Sequence, residues 1–177
     1  AKMQMTRQLD KLTEEEKMAV HKYTGFAAHR VNRALYSGKS QMIAKEQDYM
    51  KLLDSALDKG TANHKMVVHR DTIPEFLNAF PKGFEYSDAN MQRLKGKVLE
   101  NIGYTSTSFK DIKYKGRNVH LEIEIPKGYR GCLYIKDLAT NKYKSQEEVL
   151  FKRGFRYNIK SIEKEGDRYY FKGEAIL

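Results

Sequence analysis

Tyr143-Lys144-Ser145-Gln146-Glu147-Glu148-Val149-Leu150-Phe151, residues 143–151, runs from polar sequence straight into an apolar stretch. Read as the opening of a strand, it alternates faces: Gln146 and Glu148 point one way and Glu147 the other. An amide and a carboxylate then share one site at the mouth of a buried strand. Taken alone the segment is equally an ordinary strand start with solvated polar residues, so its meaning depends on what surrounds it.

Around this stretch the second half of the chain is built of strands. Val119, Leu121, Ile123 and Ile125 alternate with His120, Glu122 and Glu124, which predicts a strand with one buried face. Residues 149–151, 157–162 and 169–171 read as further strands, with turns at Arg153-Gly154 and Glu165-Gly166-Asp167. The first half has a helical period instead. Thr13 followed three residues later by Glu16 is a capping box, and Met18, Val20, Tyr23 and Phe26 continue an apolar pattern behind it. A second helix is expected over 27–36, ending at Ser37-Gly38. A third is expected from Ser40 through Ile43, Met50, Leu53 and Leu57 to Gly60. Shorter helices are expected over 74–80 and from Ser87. Helices first and strands second make an α+β fold. With 177 residues, no Pro, Gly or Ser-rich linker and no internal repeat, residues 1–177 read as a single domain.

Two segments upstream place polar groups at the edge of apolar strands: Val67-Val68-His69-Arg70 and Gly103-Tyr104-Thr105-Ser106-Thr107-Ser108. Ser106 lies 36 residues after Arg70, and Glu148 lies 42 after Ser106, yet all three suit one cleft. An arginine fork binds phosphate bidentately, a strand hydroxyl holds a carboxylate in place, and a fixed carboxylate stabilises positive charge developing on a sugar. Together they suit cleavage of a glycosidic bond beside a diphosphate.

The order Arg70, Ser106-Thr107-Ser108, Gln146-x-Glu148 resembles the mono-ADP-ribosyltransferase toxins, and within them the clostridial-type exoenzymes that modify Rho GTPases on asparagine. Gly103 to Ser106 is similar to that family's Gly-Tyr-x-Ser. Leu121-Glu122-Ile123-Glu124-Ile125-Pro126-Lys127-Gly128 looks like its strand ending in Pro-Lys-Gly, and Tyr23-Thr24-Gly25 with Val31-Asn32 like its first NAD-contacting helix. The resemblance runs from about Glu14 to the end. It implies a two-sheet β core with NAD, a substrate here, held in the cleft between the sheets, and no metal. It implies that Arg70 holds the diphosphate, that Ser106 orients Glu148, and that Glu148 stabilises the oxocarbenium-like centre as the nicotinamide bond breaks. Asn32, Ser106, Thr107 and Ser108 become NAD-pocket residues. Gln146 pairs its carboxamide with that of an incoming asparagine, and Tyr143 packs against the target, with anchoring of its own loop as the alternative. A Rho-type small GTPase is the expected partner, the enzyme a monomer, secreted or delivered into host cells.

This chain departs from that pattern at several places. The arginine that often closes the first NAD-contacting segment falls at Tyr36, so its phosphate contact is lost or passes to Arg33. Asp71 follows Arg70 where relatives carry arginine or an apolar residue, and Lys144-Ser145 replaces the usual small or proline-containing step before Gln146.

Composition is consistent with this reading without deciding it. Lys and Arg number 33 against 23 Asp and Glu, a formal charge of +10, which favours an acidic partner, an anionic ligand or a membrane surface. Cys132 is the single cysteine, so an internal disulfide is excluded. No apolar run approaches about 18 residues, so no membrane span is expected, and Ala1-Lys2-Met3-Gln4 lacks a signal-peptide core. His21, His29, His64, His69 and His120 show no metal-ligand spacing, although His69 adjoins Arg70. No glycine-rich phosphate loop is present, so a diphosphate must rely on side chains. Two alternatives stay open: the same enzyme with another acceptor, or water and hence NAD glycohydrolysis; and a non-enzymatic basic module, binding nucleic acid through Lys152-Arg153-Gly154-Phe155-Arg156-Tyr157 or forming part of a phage particle.

Overall fold

A computed structural model of the chain describes residues 1–36, 44–73, 85 and 87–177. The end of the second expected helix at Ser37-Gly38, the start of the third at Ser40 to Ile43, and the helix expected over 74–80 lie outside the described residues.

Helices come first. α1 (Lys2–Arg7) is followed by α2 (Glu14–Lys22), which opens with the expected capping box: the Glu16 amide donates to Thr13 Oγ1 at 3.1 Å and the Thr13 amide to Glu16 Oε1 at 2.9 Å. Both orphan donors are thus satisfied reciprocally. Lys59, itself partly exposed, closes an ion pair on the same oxygen of the buried Glu16 at 2.5 Å. A π-helical turn over Tyr23–Ala27, kinked at Gly25 (φ −103°, ψ −119°), leads into α3 (Ala28–Tyr36). α4 (Ala44–Asp58) and the short α5 (Asp88–Met91) complete the α-helices of the described residues, α5 capped by Ser87 as expected. Val20, Tyr23, Val31, Met50, Leu53 and Leu57 form the helical core. Met18 is not part of it: it stands exposed, because at about 100° per residue it points away from Val20 two positions on.

Eight strands follow among the described residues: β1 (Met66–Thr72), β2 (Val98–Asn101), β3 (Thr105–Ser108), β4 (Val119–Ile125), β5 (Cys132–Tyr134), β6 (Glu148–Phe151), β7 (Phe155–Glu165) and β8 (Arg168–Ala175). The turns at Gly154 and Gly166 have φ of 85° and 63°, which glycine adopts freely. The strand order is β2-β7-β8-β4-β1-β3-β6-β5, with β4 and β8 parallel and every other pair antiparallel. Hydrogen bonding therefore makes one sheet where two were expected. The reason is β1, which pairs with β4 along its whole length and with β3 at His69↔Ser108, so neither of its edges is free to separate two sheets.

Side-chain packing nevertheless works in two halves. Cys132, Tyr134, Val149 and Phe151 of β5 and β6 share a core with Leu99, Leu121, Tyr157 and Phe171 from β2, β4, β7 and β8. Leu133 and Leu150, one residue out of phase, turn to the helical core, as the two-residue period of a strand requires. The sheet folds over its own core at the β1–β3 join, and the site residues lie at that fold.

Candidate active site

Arg70 stands near the end of β1, Ser106 within β3 and Glu148 at the first position of β6. Register brings the last two together: Ser108 pairs with Glu148 and Ser106 with Leu150, so Ser106 is the diagonal neighbour of Glu148 on the same face. The Ser106 hydroxyl donates a short hydrogen bond to Glu148 Oε1, and Arg70 Nη1 donates to the Ser106 carbonyl at 3.4 Å. Glu148 is only 6% exposed. Burial pushes its carboxyl above the ordinary carboxylate range, and the Ser106 bond draws it part of the way back.

The hydroxyls of the Ser-Thr-Ser run serve different ends. Thr107 faces the other side of β3, where it donates to the Val149 carbonyl at 2.8 Å and fastens β3 to β6. Ser108 donates to the Gln146 carbonyl and accepts from the Lys110 amide at 2.9 Å, so it holds the approach to β6 in place.

Gln146 does not belong to the strand, contrary to the alternation read from sequence. It ends a 3-10 turn over Lys144–Gln146, and Glu147 follows in the left-handed region at φ 47°, ψ 54°. That conformation costs a non-glycine residue on the order of 1 kcal/mol. It throws the Glu147 carboxylate outward to Lys2 Nζ at 3.3 Å and to the Tyr134 hydroxyl at 3.4 Å. Gln146 and Glu148 both line the cleft while Glu147 leaves it, the outcome expected from alternation but reached through a turn.

Asn32 reaches this site from α3. Its Oδ1 accepts from the Tyr104 amide at 2.9 Å and its Nδ2 donates to the Tyr23 hydroxyl at 3.1 Å, joining α3 and the π turn to the start of β3. Gly103 leaves room for this: a Cβ there would lie 2.5 Å from Asn32 Oδ1. Thr24 Oγ1 accepts from the Thr140 amide at 3.0 Å, and His21 Nδ1 lies 2.8 Å from the Leu138 carbonyl. The end of α2 thereby braces the loop that carries Tyr143 and Gln146. Tyr143 is half-buried, lining the cleft with the Lys142 ammonium 5.4 Å from its ring centre.

These residues enclose a cavity of about 830 Å³, within the range of small-molecule sites. Arg33, Arg70 and Arg117 line it, and Glu148 is the single carboxylate among the described residues that do. A second cavity of about 370 Å³ shares Arg70, Thr72, Ser106, Arg117, Tyr143 and Gln146 with the first, so the two form one cleft extending along β1 to His69 and Tyr114. Of the residues singled out from sequence, Arg70, Asn32, Ser106, Tyr143, Gln146 and Glu148 meet around the larger cavity. Thr107 and Ser108 line the smaller one. Tyr114 and Arg117 were not proposed from sequence, and Tyr23 and Tyr104 entered only within the family-like segments Tyr23-Thr24-Gly25 and Gly103 to Ser106, with no role of their own. Arg117 offered a weak signal, following Gly116 in a basic turn, and Tyr114 offered none.

Sequence and structural comparison place this arrangement among known proteins. The family model described as ADP-ribosyltransferase exoenzyme matches residues 2–175. The chain is 26% identical over 180 residues to the epidermal cell differentiation inhibitor of Staphylococcus aureus, covering 89% of this chain and 72% of that protein. Plx2a, an ADP-ribosyltransferase toxin from Paenibacillus larvae, superposes with a TM-score of 0.82 at 26% identity, over 99% of this chain and 92% of that one. The C3 exoenzyme of Clostridium limosum gives a TM-score of 0.81 at 22% identity, over 99% and 93%. C3stau2 from S. aureus, solved with NAD, gives 0.79 at 23% identity, over 98% and 93%. The chain belongs to the ADP-ribosyltransferase exoenzyme family, as an enzyme that transfers ADP-ribose from NAD.

Proposed function

We propose that this enzyme, acting as one catalytic domain and as a monomer, transfers ADP-ribose to an asparagine of a Rho-type small GTPase after secretion or delivery into a host cell. The observation that carries this reading is the cleft itself: one buried carboxylate, Glu148, held by Ser106 among three arginines, with the carboxamide of Gln146 at its mouth. The kinship with C3-type exoenzymes supports the class of acceptor.

In this reading the NAD diphosphate lies against Arg70, with Arg33 supplying the phosphate contact that Tyr36 cannot and Arg117 adding a further positive charge. The bond from nicotinamide nitrogen to ribose C1′ breaks, and its electron pair leaves with neutral nicotinamide. Positive charge develops on C1′ and the ring oxygen, where the Glu148 carboxylate, bound to a ribose hydroxyl, stabilises it. The asparagine nitrogen attacks C1′ and releases a proton to solvent. Gln146 holds that asparagine by amide-to-amide pairing, and Tyr143 offers an aromatic face to the protein around it. Asn32, Thr107 and Ser108 shape the pocket, the first by fixing Tyr104 and the others by holding β3 against the approach to β6.

The test is transfer of label from tagged NAD into a eukaryotic lysate, followed by peptide mapping of the labelled band. A band of small-GTPase size, modified on asparagine and lost with Glu148→Gln, is expected, the variant falling by roughly 10²-fold or more. Gln146→Glu is expected to impair protein labelling more than NAD hydrolysis. Equal losses would remove Gln146 from acceptor recognition, and NAD consumption without labelled protein would make the enzyme a glycohydrolase.

A further inference from the structure

On the face of the sheet opposite Val68, Leu121 and Ile123, four side chains from distant parts of the chain converge. Asp71 of β1 and His120 of β4 are cross-strand partners, His69 lies two residues back along β1, and Asp111 descends from the 109–118 loop. His120 Nε2 stands 3.3 Å from His69 Nδ1 and 3.0 Å from Asp111 Oδ1, and His69 Nδ1 stands 3.9 Å from the same Asp111 oxygen. For a metal held at about 2.0–2.1 Å, tetrahedral geometry separates its ligand atoms by roughly 3.3 Å. The three atoms already occupy something close to one face of that tetrahedron.

The surroundings orient His120 for this role. Its Nδ1 lies 3.1 Å from Asp71 Oδ1. Asp71 is itself fixed by Arg168 Nη1 at 2.6 Å and by the Tyr114 amide at 2.5 Å. A carboxylate so placed accepts a hydrogen bond from Nδ1–H and leaves the Nε2 lone pair facing outward, the arrangement by which carboxylates orient metal-bound histidines. That lone pair faces a carboxylate oxygen at 3.0 Å, a spacing that a bound metal ion bridges. Lys113 sits 3.1 Å from both Asp111 oxygens, where it steadies the carboxylate from outside.

We propose that His69 Nδ1, His120 Nε2 and an oxygen of Asp111 bind a divalent transition metal of the zinc class, the fourth position being left to water. The metal ties the 109–118 loop to the sheet. Because Tyr114 and Arg117 of that loop line the cleft, the tie also sets the cleft wall, although ADP-ribose transfer needs no metal in its chemistry. The site stands independently of the proposed acceptor.

The test is titration of chelator-stripped protein with Co²⁺, read by the visible ligand-field band of tetrahedral cobalt and displaced by Zn²⁺, together with thermal melts. The expected result is one equivalent bound, a raised Tm, and affinity weakened about tenfold or more in each of Asp111→Asn and His69→Gln, with circular dichroism unchanged. His64→Gln and His21→Gln should bind as the parent does. Absence of binding would overturn the site, as would binding that survives both ligand substitutions. Crystals soaked in Zn²⁺ give an independent reading: anomalous density between the three side chains supports the site, and its absence there refutes it.

Discussion

Glu148 is the residue where function opposes stability. Burial raises its pKa above the ordinary 4.5, so folding favours its protonated form. The stability from that form is fully present below pH 4.5 and is lost as pH rises through the folded value. Once ionised, the carboxylate therefore works against the fold while serving the chemistry. Glu148→Gln should raise Tm at pH 7 and give no gain near pH 4, which parallel melts at the two pH values would show. A lower Tm for the variant at pH 7 would contradict this account. Ser106 acts through Glu148: its hydroxyl lowers the carboxyl pKa, so Ser106→Ala should move the acid limb of the kcat/KM profile to higher pH. The variant should also reduce kcat roughly 10-fold or more while changing KM for NAD little, since the hydroxyl preorganises a charge used in the transition state. An unmoved acid limb would restrict Ser106 to strand packing.

At the scale of elements, the cleft depends on joints between helices and strands. The joint of α3 with β3 is Asn32 against Tyr104, made possible by Gly103. Gly103→Ala puts a methyl group 2.5 Å from Asn32 Oδ1. We expect a loss of about 1–3 kcal/mol in urea unfolding and weaker NAD binding, because α3 must move away and takes Arg33 with it. Unchanged NAD affinity alongside the stability loss would mean that α3 does not position the cleft. The joint of α2 with the loop before β6 is Thr24 and His21 against Thr140 and Leu138. In sequence Thr13 and Glu16 announced the start of α2 correctly, since a capping box is complete within four residues. Neither joint was legible there, because each links residues about 70 or more positions apart.

At the scale of the molecule, one aromatic cluster clasps the two halves of the folded sheet. Phe151 of β6 lies 4.3 Å from Phe155 of β7 between ring centres and 5.7 Å from Tyr129, and it is fully buried. Phe151→Ala should cost about 3–5 kcal/mol, measured by urea denaturation, and should lower transfer activity because Glu148 opens the same strand. Full activity with the stability loss would show the cleft to be independent of this clasp. Whatever is encoded within a few residues was determined by the sequence itself: helices before strands, the alternating face of β4, the turns at Gly154 and Gly166, and the residue types of the site in chain order. The tertiary structure alone decided that β1 joins all the strands into one sheet, that Glu147 turns out of the cleft through a left-handed step, that Arg117 lines the same cavity as Glu148, and that His69, Asp111 and His120 meet. The physical reason is that side-chain period and turn chemistry are local, whereas strand neighbours are chosen by burial and hydrogen-bond pairing across the whole chain.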